Sequence, residues 1–173
     1  MKNRSSGTTL IELLIAMLVL AILMAIAIPS FREFAADSRT TAVTSDLVTA
    51  LNVARSEALR RSSLVVACAS DDLATCSTST TWTGGWIVFA DQDGDGLVGA
   101  GDLLQTWPEG QAQIDATATA DRAVYTATGM AQLPPGLGQV QFDIKFTGCT
   151  SGDRAKRIVM SVVGSLQTTK VPC

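Results

Sequence analysis

Residues 8–28 read TTLIELLIAMLVLAILMAIAI, with Pro29 directly after them. Positions 13–28 are sixteen consecutive apolar residues. As a helix, residues 10–28 span roughly 28 Å at about 1.5 Å per residue, close to a hydrocarbon core of about 30 Å. The seven residues in front, MKNRSSG, are polar and carry Lys2 and Arg4. Basic flanks stay cytoplasmic, which predicts a single pass through the membrane with the rest of the chain outside it. One acid interrupts the tract, Glu12. An ionised carboxylate deep in a bilayer costs about 2.5–3.5 kcal/mol on insertion scales. Placed at the membrane edge it would snorkel to water and do nothing more. Placed deeper, it calls for a positive charge that meets it in an assembled state. Two further readings of the tract are a secretory signal cut after Ala25-Ile26-Ala27 and a plain anchor. The tract is long for the first, and neither gives Glu12 a purpose.

Beyond Pro29 the pattern becomes amphipathic. Phe34, Leu47, Leu51, Ala54 and Ala58 recur at mostly three- and four-residue steps, with Arg39, Asp46, Arg55, Glu57, Arg60 and Arg61 mostly between them. No glycine or proline interrupts residues 30–61. The expectation is one helix from about Thr8 to Arg61, roughly 80 Å long and bent at Pro29. Its first half is apolar all round, and its second half has one stripe to lay on a sheet. Candidate strands follow at 64–69, 86–90, 103–107, 123–128, 140–146, 157–163 and 166–171. The run VQFDIKF at 140–146 alternates cleanly, so one face is buried and one wet. Gly129, Gly136, Gly138, Gly148 and Gly152 separate the later runs. The fold class is α+β: a long N-terminal helix, half membrane-spanning and half amphipathic, packed on a small antiparallel β-domain.

Composition narrows the chemistry. The 173 residues carry a net charge of −3, which gives no global attraction to nucleic acid or anionic lipid. There is no histidine, hence neither the usual general base nor the commonest zinc ligand. No nucleophile elbow, P-loop or paired carboxylates stand in a catalytic setting, so no enzyme is expected. The four cysteines, Cys68, Cys76, Cys149 and Cys173, form no CxxC pair. Behind an export-type N-terminus they read as two disulfides in an oxidising compartment. Four cysteines allow three connectivities; nearness in the chain favours Cys68–Cys76 and Cys149–Cys173.

Two weaker patterns stand in the C-terminal part. DQDGDGLVGAGD at 91–102 puts Asp91, Asp93, Asp95 and Asp102 at positions one, three, five and twelve of a calcium loop, with glycine at six and an apolar residue at eight. Asp102 replaces the usual bidentate glutamate, and no flanking helices are evident, so a solvated Asp/Gly turn is the other reading. No other cofactor is expected. Arg154, Lys156, Arg157 and Lys170 are scattered cations on an acidic chain, too few for a phosphate-binding surface.

Gly7-Thr8-Thr9-Leu10-Ile11-Glu12-Leu13 resembles the class III signal of type IV pilins and type II secretion pseudopilins. The resemblance implies cleavage by a prepilin peptidase between Gly7 and Thr8, N-methylation of Thr8, an assembly role for Glu12 and a helix kink at Pro29. Thr8 stands where phenylalanine is usual. ALNVARSEALRR before residue 62, and WTGGWIVFAD at 82–91, resemble the GspH/FimT-type minor pseudopilins. The implied layout is a leader at 1–7, a membrane or filament-core helix at 8–28, an amphipathic helix at 29–63 and a periplasmic β-domain at 64–173, in a type IV pilin-like fold. The implied function is a minor subunit at or near the tip of a type IV pilus or secretion pseudopilus, helping assembly begin. Its partners would be major and minor pilins, the peptidase and the inner-membrane assembly platform. A tip adhesin or DNA-uptake receptor is the alternative. Some FimT-type relatives bind DNA through a GRxR motif; here Gly164-Ser165-Leu166-Gln167 keeps the glycine and lacks both arginines, so nucleic acid is not expected as a partner.

Overall fold

A computed structural model describes residues 9–110, 113–150, 152 and 154–173. Helix α1 runs Leu10–Arg61, its backbone helical through position 29. The chain divides into two compact units, residues 1–36 and 37–173. Within the first, the described large apolar side chains stand exposed, and none of the apolar window of the helix is buried. By length and composition this helix can cross a membrane. Phe34 departs from the expected stripe. It is 70% exposed, and the buried stripe begins further on.

In the second unit α1 presents Val43, Leu47, Ala50, Leu51, Ala54 and Ala58 to the core, all buried. The alanines keep the helix surface shallow, so strands can approach; the leucines supply apolar area, each worth about 1.5–3 kcal/mol on full burial. The helix stops where Ser62 takes a left-handed φ of 52°, the usual geometry just past a C-terminus. Arg60 and Arg61 in the last turn face the negative end of the helix dipole. Both are held by Glu57, whose carboxylate accepts from Arg60 Nε at 3.0 Å and Arg61 Nε at 2.7 Å.

Among the described residues nine strands follow: β1 (Leu64–Ala69), β2 (Gly85–Asp91), β3 (Leu103–Pro108), β4 (Ile114–Ala118), β5 (Arg122–Tyr125), β6 (Ala131–Gln132), β7 (Gln139–Phe146), β8 (Ala155–Ser161) and β9 (Leu166–Val171). They form two antiparallel sheets, ordered β3-β2-β1-β5-β6 and β4-β7-β8-β9. β4 and β6 were not expected from the sequence. The candidate strand at 123–128 ends at Tyr125, and that at 157–163 ends at Ser161, because each chain turns there. Thr126 N–H donates to Met130 O at 2.9 Å, and Gly164 N–H to Ser161 O at 2.9 Å.

The main core lies between α1 and both sheets. Trp82 sits in it edge-on to Phe142, ring centroids 5.1 Å apart, and its indole N–H donates to Ala120 O at 3.1 Å. A second apolar cluster, Val66, Cys68, Ile87 and Phe89, occupies the other face of β1 and β2. Partly buried Leu73, Cys76, Val98 and Val124 pack against it. Both faces of these strands are therefore covered, which is why β2 is buried along its whole length. Two of the covering residues, Leu73 and Val98, come from the loops after β1 and β2.

Candidate functional site

The start of α1 is capped. Thr9 precedes the first helical residue, and its Oγ1 accepts the N–H of Glu12 at 3.4 Å, while its carbonyl accepts the N–H of Leu13 at 3.2 Å. Thr9-x-x-Glu12 is the spacing of a capping box, a signal carried by the sequence beside that of the acid itself. Glu12 lies in the first turn, where a negative charge suits the helix dipole. The residues expected to be cut and methylated, Gly7 and Thr8, lie outside the described residues, as does the side chain of Pro29.

The acidic loop between β2 and β3 is organised around Asp91, which is buried at the end of β2. Its two carboxylate oxygens accept the N–H groups of Gly94 at 2.9 Å and Gly96 at 3.2 Å. Asp95 Oδ1 accepts from Leu97 N–H at 2.7 Å. Carboxylate oxygens of Asp91, Asp93 and Asp95 come within 4.8 Å of one another. Asp102 does not join that group; its Oδ2 accepts the N–H of Gly99 at 3.0 Å. Arg122 on β5 donates to Gly96 O at 3.2 Å and ties the loop to the sheet.

Both disulfides join cysteines close in sequence, Cys68–Cys76 and Cys149–Cys173. The first closes the loop after β1, where Asp72 accepts from Ala74 N–H at 2.9 Å, Thr75 N–H at 2.8 Å and Thr75 Oγ1 at 2.7 Å. These bonds, those from Thr75 first, hold the Asp72 carboxyl well below the usual carboxylate range. The second attaches the last residue beyond β9 to the turn after β7.

Of the basic residues, Lys156 is mostly buried, with Nζ 3.6 Å from Asp37 of α1. Arg157 on β8 pairs with Asp143 on β7 through two bonds of 2.6 and 2.9 Å. These two cations are thus engaged within the domain.

Residues 43–164 match the family model described as type II transport protein GspH. Residues 2–28 match that of the prokaryotic N-terminal methylation motif. No curated protein matches the chain. Among solved structures, it is similar to the type IV minor pilin FimU of Pseudomonas aeruginosa strain PAO1 in two crystal forms. One shares 18% identity over 76% of this chain and 89% of that one, with a TM-score of 0.57. The other shares 19% over 75% and 91%, with a TM-score of 0.54. At that identity the likeness speaks for the fold.

Proposed function

Because the chain belongs to the GspH family of type II transport proteins and carries the prokaryotic N-terminal methylation motif, we propose that it is a minor subunit of a type IV pilus or type II secretion filament. In this reading a prepilin peptidase cuts between Gly7 and Thr8, and the new amine at Thr8 is methylated. Residues 10–28 anchor the subunit in the inner membrane, with residues 37–173 in the periplasm, until the assembly platform passes it into the filament at or near the tip.

The observation that carries the reading is Glu12 in the first turn of α1, the one charged residue in the stretch 10–28. The Thr9 cap and the helix dipole suit an acid there, but neither neutralises its charge in hydrocarbon. The cationic amine of an adjacent subunit does. Pairing fixes the axial offset between neighbours, because an unpaired carboxylate in a low-dielectric bundle is strongly unfavourable. Replacement of Glu12 by alanine tests this. Cleavage, read by intact mass, and membrane residence should be normal, while incorporation into sheared filaments should fall. Filaments that take up the variant as readily as the parent refute the pairing, and a purified chain still beginning at Met1 refutes the processing.

A second reading is favoured by the clustering of Asp91, Asp93 and Asp95. These carboxylates would hold a calcium ion, with Leu97 O in reach by loop position and Asp102 a bystander. Calcium would then fasten the loop whose Val98 covers the second apolar cluster. Full-length protein in detergent should melt at higher temperature with calcium, and chelation should reverse the gain. An unchanged melt, or an equal gain in an Asp93→Asn variant, counts against it.

A further inference from the structure

Trp86 on β2 lies directly opposite Trp107 on β3, which is the edge strand of its sheet. Trp86 is 2% exposed, yet its indole N–H has no hydrogen-bond partner among the described residues. Trp82, equally buried, gives its indole N–H to a carbonyl. Trp86 and Trp107 line a cleft of about 380 Å³ whose other walls are Asp46 of α1 and the Pro108, Glu109 and Gly110 segment at the end of β3. Among the described residues two carboxylates and no cation line it, and neither Asp46 nor Glu109 has an ion-pair partner. Asp46 is exposed although Val43 and Leu47 on the same helix are buried, so it stands at the border of the core.

We infer that this cleft is the docking site for an arginine residue presented by a neighbouring subunit of the filament, an inference that rests on the filament reading above. The chemistry of the walls selects the occupant. A guanidinium is planar, so it can stack on the half-buried Trp107 indole while donating to the two carboxylates. An ammonium makes a point contact and loses the stacked face. The volume is in the range of sites that take one small group rather than a folded element. Because β3 is an edge strand, the cleft opens to the side of the sheet, where another subunit can reach it.

The test places a photo-crosslinking amino acid at Pro108 in the full chain, in cells that assemble filaments. A crosslink should form to another pilin-like subunit, mapped to a peptide containing arginine. It should fall at least about tenfold in an Asp46→Asn, Glu109→Gln double variant that melts like the parent, because both charged contacts are lost. Replacing the mapped arginine by glutamine should abolish it. A crosslink unchanged in the double variant, a mapped site without arginine, or no crosslink from protein that does enter filaments overturns the proposal. If the parent never enters filaments, the filament reading fails first. The cleft is then judged with purified full-length protein in detergent by tryptophan fluorescence. Saturable response to N-acetyl-arginine amide but not to its citrulline counterpart keeps it as a guanidinium site, and equal or absent responses dismiss it.

Discussion

Arg55 of α1 donates to the main-chain carbonyl of Val163, 3.0 Å away, and so fastens the helix to the turn between β8 and β9. The next residue in that turn is Gly164, at φ 75°. A Cβ on it would run into Gly129 O and lie 3.2 Å from the Tyr125 ring. Two costs of different size follow. Arg55→Ala removes one charge-assisted bond to a carbonyl and should cost about 1.5 kcal/mol. Gly164→Ala forces a left-handed backbone on a residue with a Cβ and drives that Cβ into a carbonyl, so about 3 kcal/mol is expected. Denaturant melts of the full chain in detergent should rank the two in that order.

Tyr125 lies against this same turn, and it is the chain's one tyrosine. Burial pushes its hydroxyl up to about 12 from 10.0, with nearby Arg55 opposing the shift. The neutral form is favoured in the folded state. Its stabilisation is therefore complete below pH 10 and lost as pH rises from about 10 to about 12. Ultraviolet titration of the native chain should show a single phenol ionising near the upper value. Tyr125→Phe should flatten this part of the stability profile. At neutral pH it should be neutral or slightly stabilising, because the hydroxyl has no hydrogen-bond partner among the described residues.

The parts of this fold that were legible in the sequence are those with a strong local pattern. β1 falls at the expected residues, β7 within one residue at its start, and β7 alternates buried and less buried positions as VQFDIKF requires. β4, IDATA, has small and polar residues with little apolar contrast, so its pairing with β7 shows only in three dimensions. β6 is two residues held by its partner β5, too short to leave a pattern. Phe34 fitted the helical spacing, but spacing does not say where along a helix the domain begins to cover it. At the candidate sites, D-x-D-x-D brought three carboxylates together as the loop numbering implies. Asp102 was captured by Gly99, a local bond that the numbering does not reveal. The Trp86 and Trp107 cleft had no signature, since it depends on β2 and β3 register and on a distant helix residue, Asp46.

The contrast between Phe34 and Leu51 gives a second stability test. Leu51 is fully buried beneath the sheets, and Leu51→Ala should cost about 3 kcal/mol from lost transfer energy and the cavity left behind. Phe34→Ala removes a larger side chain, yet it stands 70% exposed and should change stability by less than about 0.5 kcal/mol. Any defect of the Phe34 variant should then show in filament incorporation, with the melting curve unmoved. A large loss of stability at Phe34 would mean that the isolated subunit covers this side chain.

The two disulfides should differ in worth, and in the order opposite to loop length. The loop-entropy relation gives about 2.5 kcal/mol for the separation of 8 between Cys68 and Cys76, and about 3.5 kcal/mol for the separation of 24 between Cys149 and Cys173. Environment reverses this ranking when serine is the replacement. Cys149 is half-buried and Cys173 exposed, so serines there remain hydrated and cost little beyond the loop term. Cys68 is fully buried among Val66, Ile87 and Phe89, where a serine hydroxyl without a partner adds about 1–3 kcal/mol. The Cys68→Ser, Cys76→Ser double variant should therefore be the less stable by about 1 kcal/mol. Alanine at positions 68 and 76 removes the hydroxyl and should return the order to that of loop length. If serine and alanine variants at these two positions melt alike, burial of Cys68 in a dry second cluster is wrong, and with it the covering role of Leu73 and Val98.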